Sequence, residues 1–389
     1  MRVYFDHNAT TPVDPAVVEV MTRVLREDFG NASSVHRFGQ QAKAVLDEAR
    51  SAVSTLIGAD PSEVVFTSGG TEADNLAIRG AAEAAEPAGR RHLVASAIEH
   101  EAVLNTLKAL ARRGWRTTLV PVGQSGIVSP ERVREAIADD TALVSVMHAN
   151  NELGTIQPIA EISAIAHERG ALMHTDAVQS AGKIPVDVRA LGVDLLAIAS
   201  HKLNGPKGAG ALWVKRGTRM LPILTGGKHE RSRRAGTENV PAIAGFGTAV
   251  RLAASKMKAE GPRVAALRDR LETAVLREVP GTAVNGALEV RVPNTTNISF
   301  DRVEAESLLI ALDLEGVAVS TGSACSSGTL EPSHVLRAMG FPAHRTQNSL
   351  RFSLGMFSTD ADVDRVIAVL PGLVEKLRKL TRKTVELRS

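Results

Sequence analysis

In the stretch DLLAIASHKLNGPKG, residues 194–208, an apolar run from Leu195 to Ala199 reads as a short buried strand. It gives way at once to Ser200, His201 and Lys202, and then to a turn built on Asn204, Gly205, Pro206 and Gly208. A lysine just past a strand is ordinarily a solvated loop residue. An amine kept dry at a strand end behaves differently. It gives up part of its charge and becomes a nucleophile toward carbonyl carbon, which is the setting of a Schiff-base lysine.

The aldehyde cofactor that most often meets such a lysine is pyridoxal 5'-phosphate, and it places three further demands on a chain. It needs a carboxylate at its ring nitrogen so that the ring can act as an electron sink. Asp176, in HTDAVQSAGK, follows a strand-like ALMH about one helix-plus-strand unit before Lys202, although alone it would read as an N-cap. It also needs an anion cradle. SGGTEADN, residues 68–75, follows EVVFT and opens a helix, so that backbone N–H groups at Gly70 and Thr71 could face a phosphate. The third demand is for groups over the ring and beside its hydroxyl. His100, Asn151 and Gln179 are the candidates, with Gln179 expected on the same side of a helix as Asp176.

These residues need a frame. Short β-rich runs at 63–67, 92–96, 117–120, 142–147, 171–174, 195–199 and 211–214 alternate with helical patterns at 72–86, 101–113, 131–138 and 159–169. Such alternation predicts an α/β fold with a mostly parallel sheet between helices, and ligands bind such sheets where strands end. Residues 241–278 read as helical with a break at Gly261-Pro262, and the remainder mixes strand-like NISF, VAV and SLRFSL with helices, as a smaller α+β domain would. The final helix is expected to start near Thr359 with Asp362 as its capping partner and to be kinked or split at Pro371. The division expected is a large domain over 15–255 and a small domain made of 1–14 and 256–389.

Composition removes several classes of function. The 389 residues carry 46 Lys+Arg and 43 Asp+Glu, a formal charge of +3, and only 3% aromatics, so neither the charge nor the stacking surface of a nucleic-acid groove is present. One cysteine, Cys325, excludes an intrachain disulfide and any multi-cysteine metal site. The N-terminus MRVYFDHNATTP has no apolar signal core and no run is long enough to cross a bilayer, so a cytoplasmic protein is expected. No G-x-G-x-x-G precedes a helix, which argues against dinucleotide binding. Around Cys325 the sequence STGSACSSGT offers no bulky apolar neighbour, so the thiol is not a locally packed small hydrophobe.

The segments NATTPVDP, FTSGGTEADNLAI, HANNELGTIQPI, HTDAVQSAGKIPVD, SHKLNGPKGAGALWV, RRAGTENV, PNTTNISF, STGSACSSGTLEPSHVLRAMG and LRFSLG together resemble the cysteine desulfurases of the nitrogen-fixation and iron–sulfur-cluster type, within the class V aminotransferase superfamily. The resemblance spans nearly the whole chain. It implies the fold type I architecture of pyridoxal-phosphate enzymes, with the catalytic cysteine carried by the small domain. It implies that Lys202 links covalently to the cofactor, that Asp176 pairs with its ring nitrogen, and that His100 stacks on the ring and moves protons. Asn151 and Gln179 would bind the ring hydroxyl, and Gly70, Thr71, Ser200 and His201 the phosphate. Thr237 would reach the phosphate of a neighbouring subunit, implying a homodimer. Arg351 would fork onto the substrate carboxylate, and Cys325 would take sulfur from L-cysteine as a persulfide, leaving L-alanine, for delivery to an acceptor or scaffold protein. A selenocysteine lyase or a conventional class V aminotransferase would share Lys202, Asp176 and Arg351. Ala199 departs from the pattern, since many members place a phosphate-touching serine there, and that contact would have to be lost or shifted to Ser200.

Overall fold

The computed structural model describes residues 2–322 and 332–386. Twelve strands are present among them: β1 (Val3–Tyr4), β2 (Val64–Thr67), β3 (His92–Ser96), β4 (Arg116–Val120), β5 (Thr141–Ser145), β6 (Leu172–Asp176), β7 (Leu195–Ala199), β8 (Gly210–Val214), β9 (Thr282–Val284), β10 (Thr295–Phe300), β11 (Val317–Ala318) and β12 (Ser349–Ser353). Seven form one sheet in the order β2-β8-β7-β6-β5-β3-β4, and all neighbours from β7 to β4 run parallel, while β8 is antiparallel to both β7 and β2. β3, β5, β7 and β8 are buried along their whole length, as strands covered by helices on both faces must be. Their side chains divide by strict alternation: Leu196 and Ile198 join one apolar cluster with Val144 and Phe66, while Leu195 and Ala197 join another with Leu143 and Leu76. This is the mostly parallel α/β layer that the alternation predicts.

A smaller α+β unit follows. β12-β10-β9 make an antiparallel sheet, and β1 pairs in parallel with β11, so the N-terminus is built into the C-terminal unit. Val3 and Phe5 share its core with Val264, Leu271, Phe300, Leu308, Phe352, Val366 and Leu370.

Two expected interruptions do not occur. Val240–Glu278 is one 39-residue helix that runs through Pro262. Gly261 has no Cβ for the proline ring to strike. Beyond it the helix is pinned by Arg263, which donates to the Met356 and Ser358 carbonyls at 2.8 Å each, and by the buried Val264 and Leu267. The last helix, Asp360–Glu386, likewise passes Pro371 unbroken, because Val363, Val366, Leu370 and Val374 hold both halves on one core. Its start is as expected: Thr359 N donates to Asp362 Oδ2 at 2.9 Å and Asp362 N to Thr359 Oγ1 at 3.3 Å. No helix among the described residues is long and apolar enough to cross a membrane.

One buried ion pair ties the 230–234 segment to the sheet. Arg50 and Glu230 meet at 2.8 Å with side chains 8% and 2% exposed, and Glu230 also accepts from Phe66 N at 2.9 Å. Glu230, Arg231 and Ser232 have φ of 45°, 57° and 64°, a left-handed run that non-glycine residues adopt only when anchored. Removing one partner strands a buried charge, so Glu230→Ala is expected to cost about 3–5 kcal/mol, read as a lowered thermal denaturation midpoint.

Candidate active site

Strand register brings the amine and the acid together. β6 pairs with β7 so that Asp176, the last residue of β6, lies opposite Ala197, and Lys202 follows one short turn, Ser200–Lys202, beyond the end of β7. Lys202 Nζ turns back to the N-terminal segment, donating to Asn8 O at 2.5 Å and Ala9 O at 2.8 Å. Burial pushes its ammonium down to about 8, with the Arg351 cation adding to the effect and Asp176 and Asp6 opposing it. A far larger share of the side chain is therefore neutral near physiological pH than for a free lysine.

Asp176 is 7% exposed, and its Oδ1 accepts from Val178 N at 2.8 Å. Burial raises its carboxyl, while His100, the Val178 N–H and Lys202 pull it down. Two more carboxyls stand behind it. Asp74 is pushed well up by burial and by the charges of Asp176 and Glu99, and burial holds Glu99 at about 8. Burial thus favours the protonated form of both carboxyls behind Asp176. His100 caps the helix Glu101–Ala111, its Nδ1 accepting from Ala102 N at 3.1 Å.

The residues after Asp176 do not form the expected helix. Residues 177–187 make successive turns, with Ser180 N and Ala181 N both donating to Ala177 O and with Gly182 at φ 73°. The left-handed glycine and Pro185 leave too few residues for a helix. Gln179 nonetheless reaches the site through this turn. It is 5% exposed, and its Nε2 donates to Asn8 O at 3.0 Å, the carbonyl that also receives Lys202.

The segment expected to cradle an anion lies where β2 meets the helix Gly70–Ala85. The first amide bonded within that helix is Ala73 N, to Gly69 O at 3.1 Å, so the amides of Gly70, Thr71 and Glu72 lie ahead of the bonded ladder. A Cβ on Gly70 would fall 2.9 Å from Val178 Cγ2, so a larger residue there would have to displace that valine. The same probe at Gly70 meets the Ala199 methyl at 3.6 Å, so Ala199 stands on the cradle side. Ser200 is fully buried, with its Oγ against Gly205 and without a hydrogen-bond partner among the described residues. His201 Nδ1 lies 3.2 Å from Thr10 Oγ1. Thr71 and His100 line one open groove of about 550 Å³ with Asn75 and Arg79. A buried acid, a partly deprotonated amine, a histidine on the groove and a helix N-terminus free of side-chain caps form a donor set that suits pyridoxal phosphate.

Arg351 lies on β12 of the three-stranded sheet. The alternation of β12 leaves open a solvated arginine, but the side chain is 4% exposed. Its Nη2 donates to Asp6 Oδ1 at 2.6 Å and its Nη1 to Asn151 O at 3.1 Å, while its Nε is buried without a partner. Asn8 joins every part: it donates to Asn151 O at 3.0 Å and Thr295 Oγ1 at 2.8 Å, and accepts from Lys202, Gln179 and Asn294. Residue types gave no sign of Asn8, Asp6 or Lys183 as site residues. The available signal was a polar Asp-His-Asn run between a strand and Pro12. Thr237 is exposed and is not among the residues gathered around Lys202. Cys325 lies outside the described residues.

The profile of the family described as aminotransferase class-V matches residues 3–366. The chain belongs to that family. Among its class-V relatives, a protein named cysteine desulfurase from Nostoc sp. (strain PCC 7120) is 48% identical over 97% of this chain and 94% of its own. Cysteine desulfurase IscS from Methanosarcina thermophila is 48% identical over 98% of this chain and 94% of its own. Of solved structures, one described as a NIFS-like protein superposes with a TM-score of 0.91 at 36% identity, covering 97% of this chain and all of the other. Another, SspA in complex with cysteine, has a TM-score of 0.81 at 34% identity and covers 92% of this chain and all of the other. The fold described above is thus shared with both of these solved structures.

Proposed function

We propose that the protein is a cysteine desulfurase, an enzyme that takes sulfur from L-cysteine with pyridoxal 5'-phosphate, releases L-alanine and holds the sulfur as a persulfide on Cys325 for transfer to an acceptor. The observation that carries this is the half-buried Lys202, its pKa lowered, beside the buried Asp176 and near the buried Arg351, in a chain whose relatives bear that name. Lys202 would hold the cofactor, Asp176 its ring nitrogen, Gln179 and Asn151 its ring hydroxyl, and Gly70, Thr71, Ser200 and His201 its phosphate. Bound there, it supplies an electron sink for a substrate α-carbanion. Lys202 or His100 would move the α-proton, and the Arg351 guanidinium would orient the substrate carboxylate. Cys325 thiolate attacks the substrate sulfur: an S–S bond forms, the C–S bond breaks, and its electron pair leaves with carbon to be protonated.

The chain is proposed to divide into a large domain over 15–255 and a small one over 1–14 and 256–389. It is proposed to work as a homodimer, with Thr237 serving the partner's phosphate. Leu25, Phe29, Val35 and Phe38, exposed by 62%, 69%, 90% and 52%, supply an apolar face that a second copy would cover. The deciding assay incubates the loaded protein with L-cysteine and a thiol reductant and measures alanine and sulfide. Both are expected in equal amounts, and the appearance of neither removes the assignment.

Arg351→Lys is expected to lower kcat/KM for L-cysteine by about 10- to 100-fold, mainly through KM, because an ammonium cannot fork. Steady-state kinetics read the split, and an unchanged KM would contradict the assigned role.

A further inference from the structure

Lys183 ends the turn that follows Asp176, and the chemistry above leaves it unused. Its Nζ donates to Gln179 Oε1 at 2.8 Å and to Asn8 Oδ1 at 3.3 Å. An ammonium has only donors to offer, so the Gln179 atom that faces it must be the carbonyl oxygen. The Gln179 nitrogen is thereby turned to Asn8 O, which takes one of its two hydrogens at 3.0 Å. The second N–H is the only donor that the Gln179 amide has left to present.

Asn8 cannot yield, because its Oδ1 also accepts from Asn294 at 3.0 Å and its Nδ2 is committed to Thr295 and Asn151. No carboxylate pairs with Lys183 among the described residues. Burial lowers it to about 7, with Lys202 and Arg351 adding. His7 and His201 feel its charge, and Lys256 and Glu260 share with it a cavity of about 90 Å³.

We infer that Lys183 is a positioning residue for the cofactor: it locks the Gln179 amide so that an N–H, not a carbonyl, meets the ring hydroxyl oxygen, and its charge favours the ionised form of that oxygen. The inference rests on the proposal that pyridoxal phosphate occupies this site. A ring oxygen that loses its donor, and a ring system that loses a nearby cation, both hold their protons more tightly, so the two effects act in one direction.

The test titrates the visible absorbance of the loaded wild-type, Lys183→Met and Lys183→Arg proteins against pH. The midpoint of the colour change is expected to rise by about one unit in Lys183→Met and to return close to the wild-type value in Lys183→Arg. A lysine that only fills space would lower the melting temperature without moving the midpoint. Should Lys183→Met fail to accumulate, Lys183→Gln, which removes the charge at similar length, is expected to shift the midpoint in the same direction. An unmoved midpoint in whichever variant loads overturns the inference. Wild-type protein that takes up no colour would instead remove the cofactor proposal, and this inference with it.

Discussion

Lys202→Ala protein is expected to lose L-cysteine turnover by about 10³-fold or more, and to lose covalent capture of pyridoxal phosphate altogether. The chain holds other amines near the site, Lys183 above all, but that side chain is committed to Gln179 and Asn8, whereas Lys202 stands where β7 ends beside Asp176. Mass spectrometry after borohydride reduction reads the capture, and label on another lysine would contradict the assignment. The wild-type amine also sets a pH dependence. Only the neutral amine attacks an aldehyde, and burial lowers its pKa from 10.5 to about 8. Protonation blocks the reaction, so cofactor uptake is expected to rise with pH and to level off above about 8. A solvated lysine would still be gaining at pH 10. The uptake rate, followed by absorbance between pH 6 and 10, separates the two cases.

The sheet and the Lys202–Asp176 pair were legible because each follows from a local pattern: an apolar run ends, and the next polar residue surfaces at the strand's carboxyl edge. What was not legible comes from contacts distant in sequence. β12 alternates like a half-exposed strand, yet Arg351 is buried, because the N-terminal segment brings Asp6 against it and the segment after β5 brings Asn151. Neither contact leaves a trace in the periodicity of 349–353. Gln179 reaches the site although its helix is absent, since a three-residue offset within a turn can also return a side chain toward the strand end. Pro262 and Pro371 are strong local stop signals, and burial of Val264, Leu267 and Val374 overrides both. Asn8 could not be weighed from its own neighbours at all, for its partners lie at 151, 179, 183, 202, 294, 295 and 353.

Cys325→Ser is expected to abolish sulfide release from L-cysteine while leaving cofactor uptake and absorbance as in the wild type. The two halves of that expectation depend on different atoms. Uptake is expected to need Lys202, Asp176 and the proposed cradle at Gly70 and Thr71, none of which is a sulfur group. Sulfur transfer needs a thiolate, and a serine hydroxyl is too weak a nucleophile, and too poor a sulfur carrier, to replace it. Because Cys325 is the only cysteine in the chain, no second thiol can resolve or bypass the step. The same variant separates the neighbouring activities. A conventional aminotransferase or a selenocysteine lyase keeps Lys202, Asp176 and Arg351 and does not require the thiol in the same way, so its preferred substrate would still turn over. Retained alanine formation from L-cysteine in Cys325→Ser, at a rate near the wild type, would therefore overturn the desulfurase mechanism and leave the cofactor site standing.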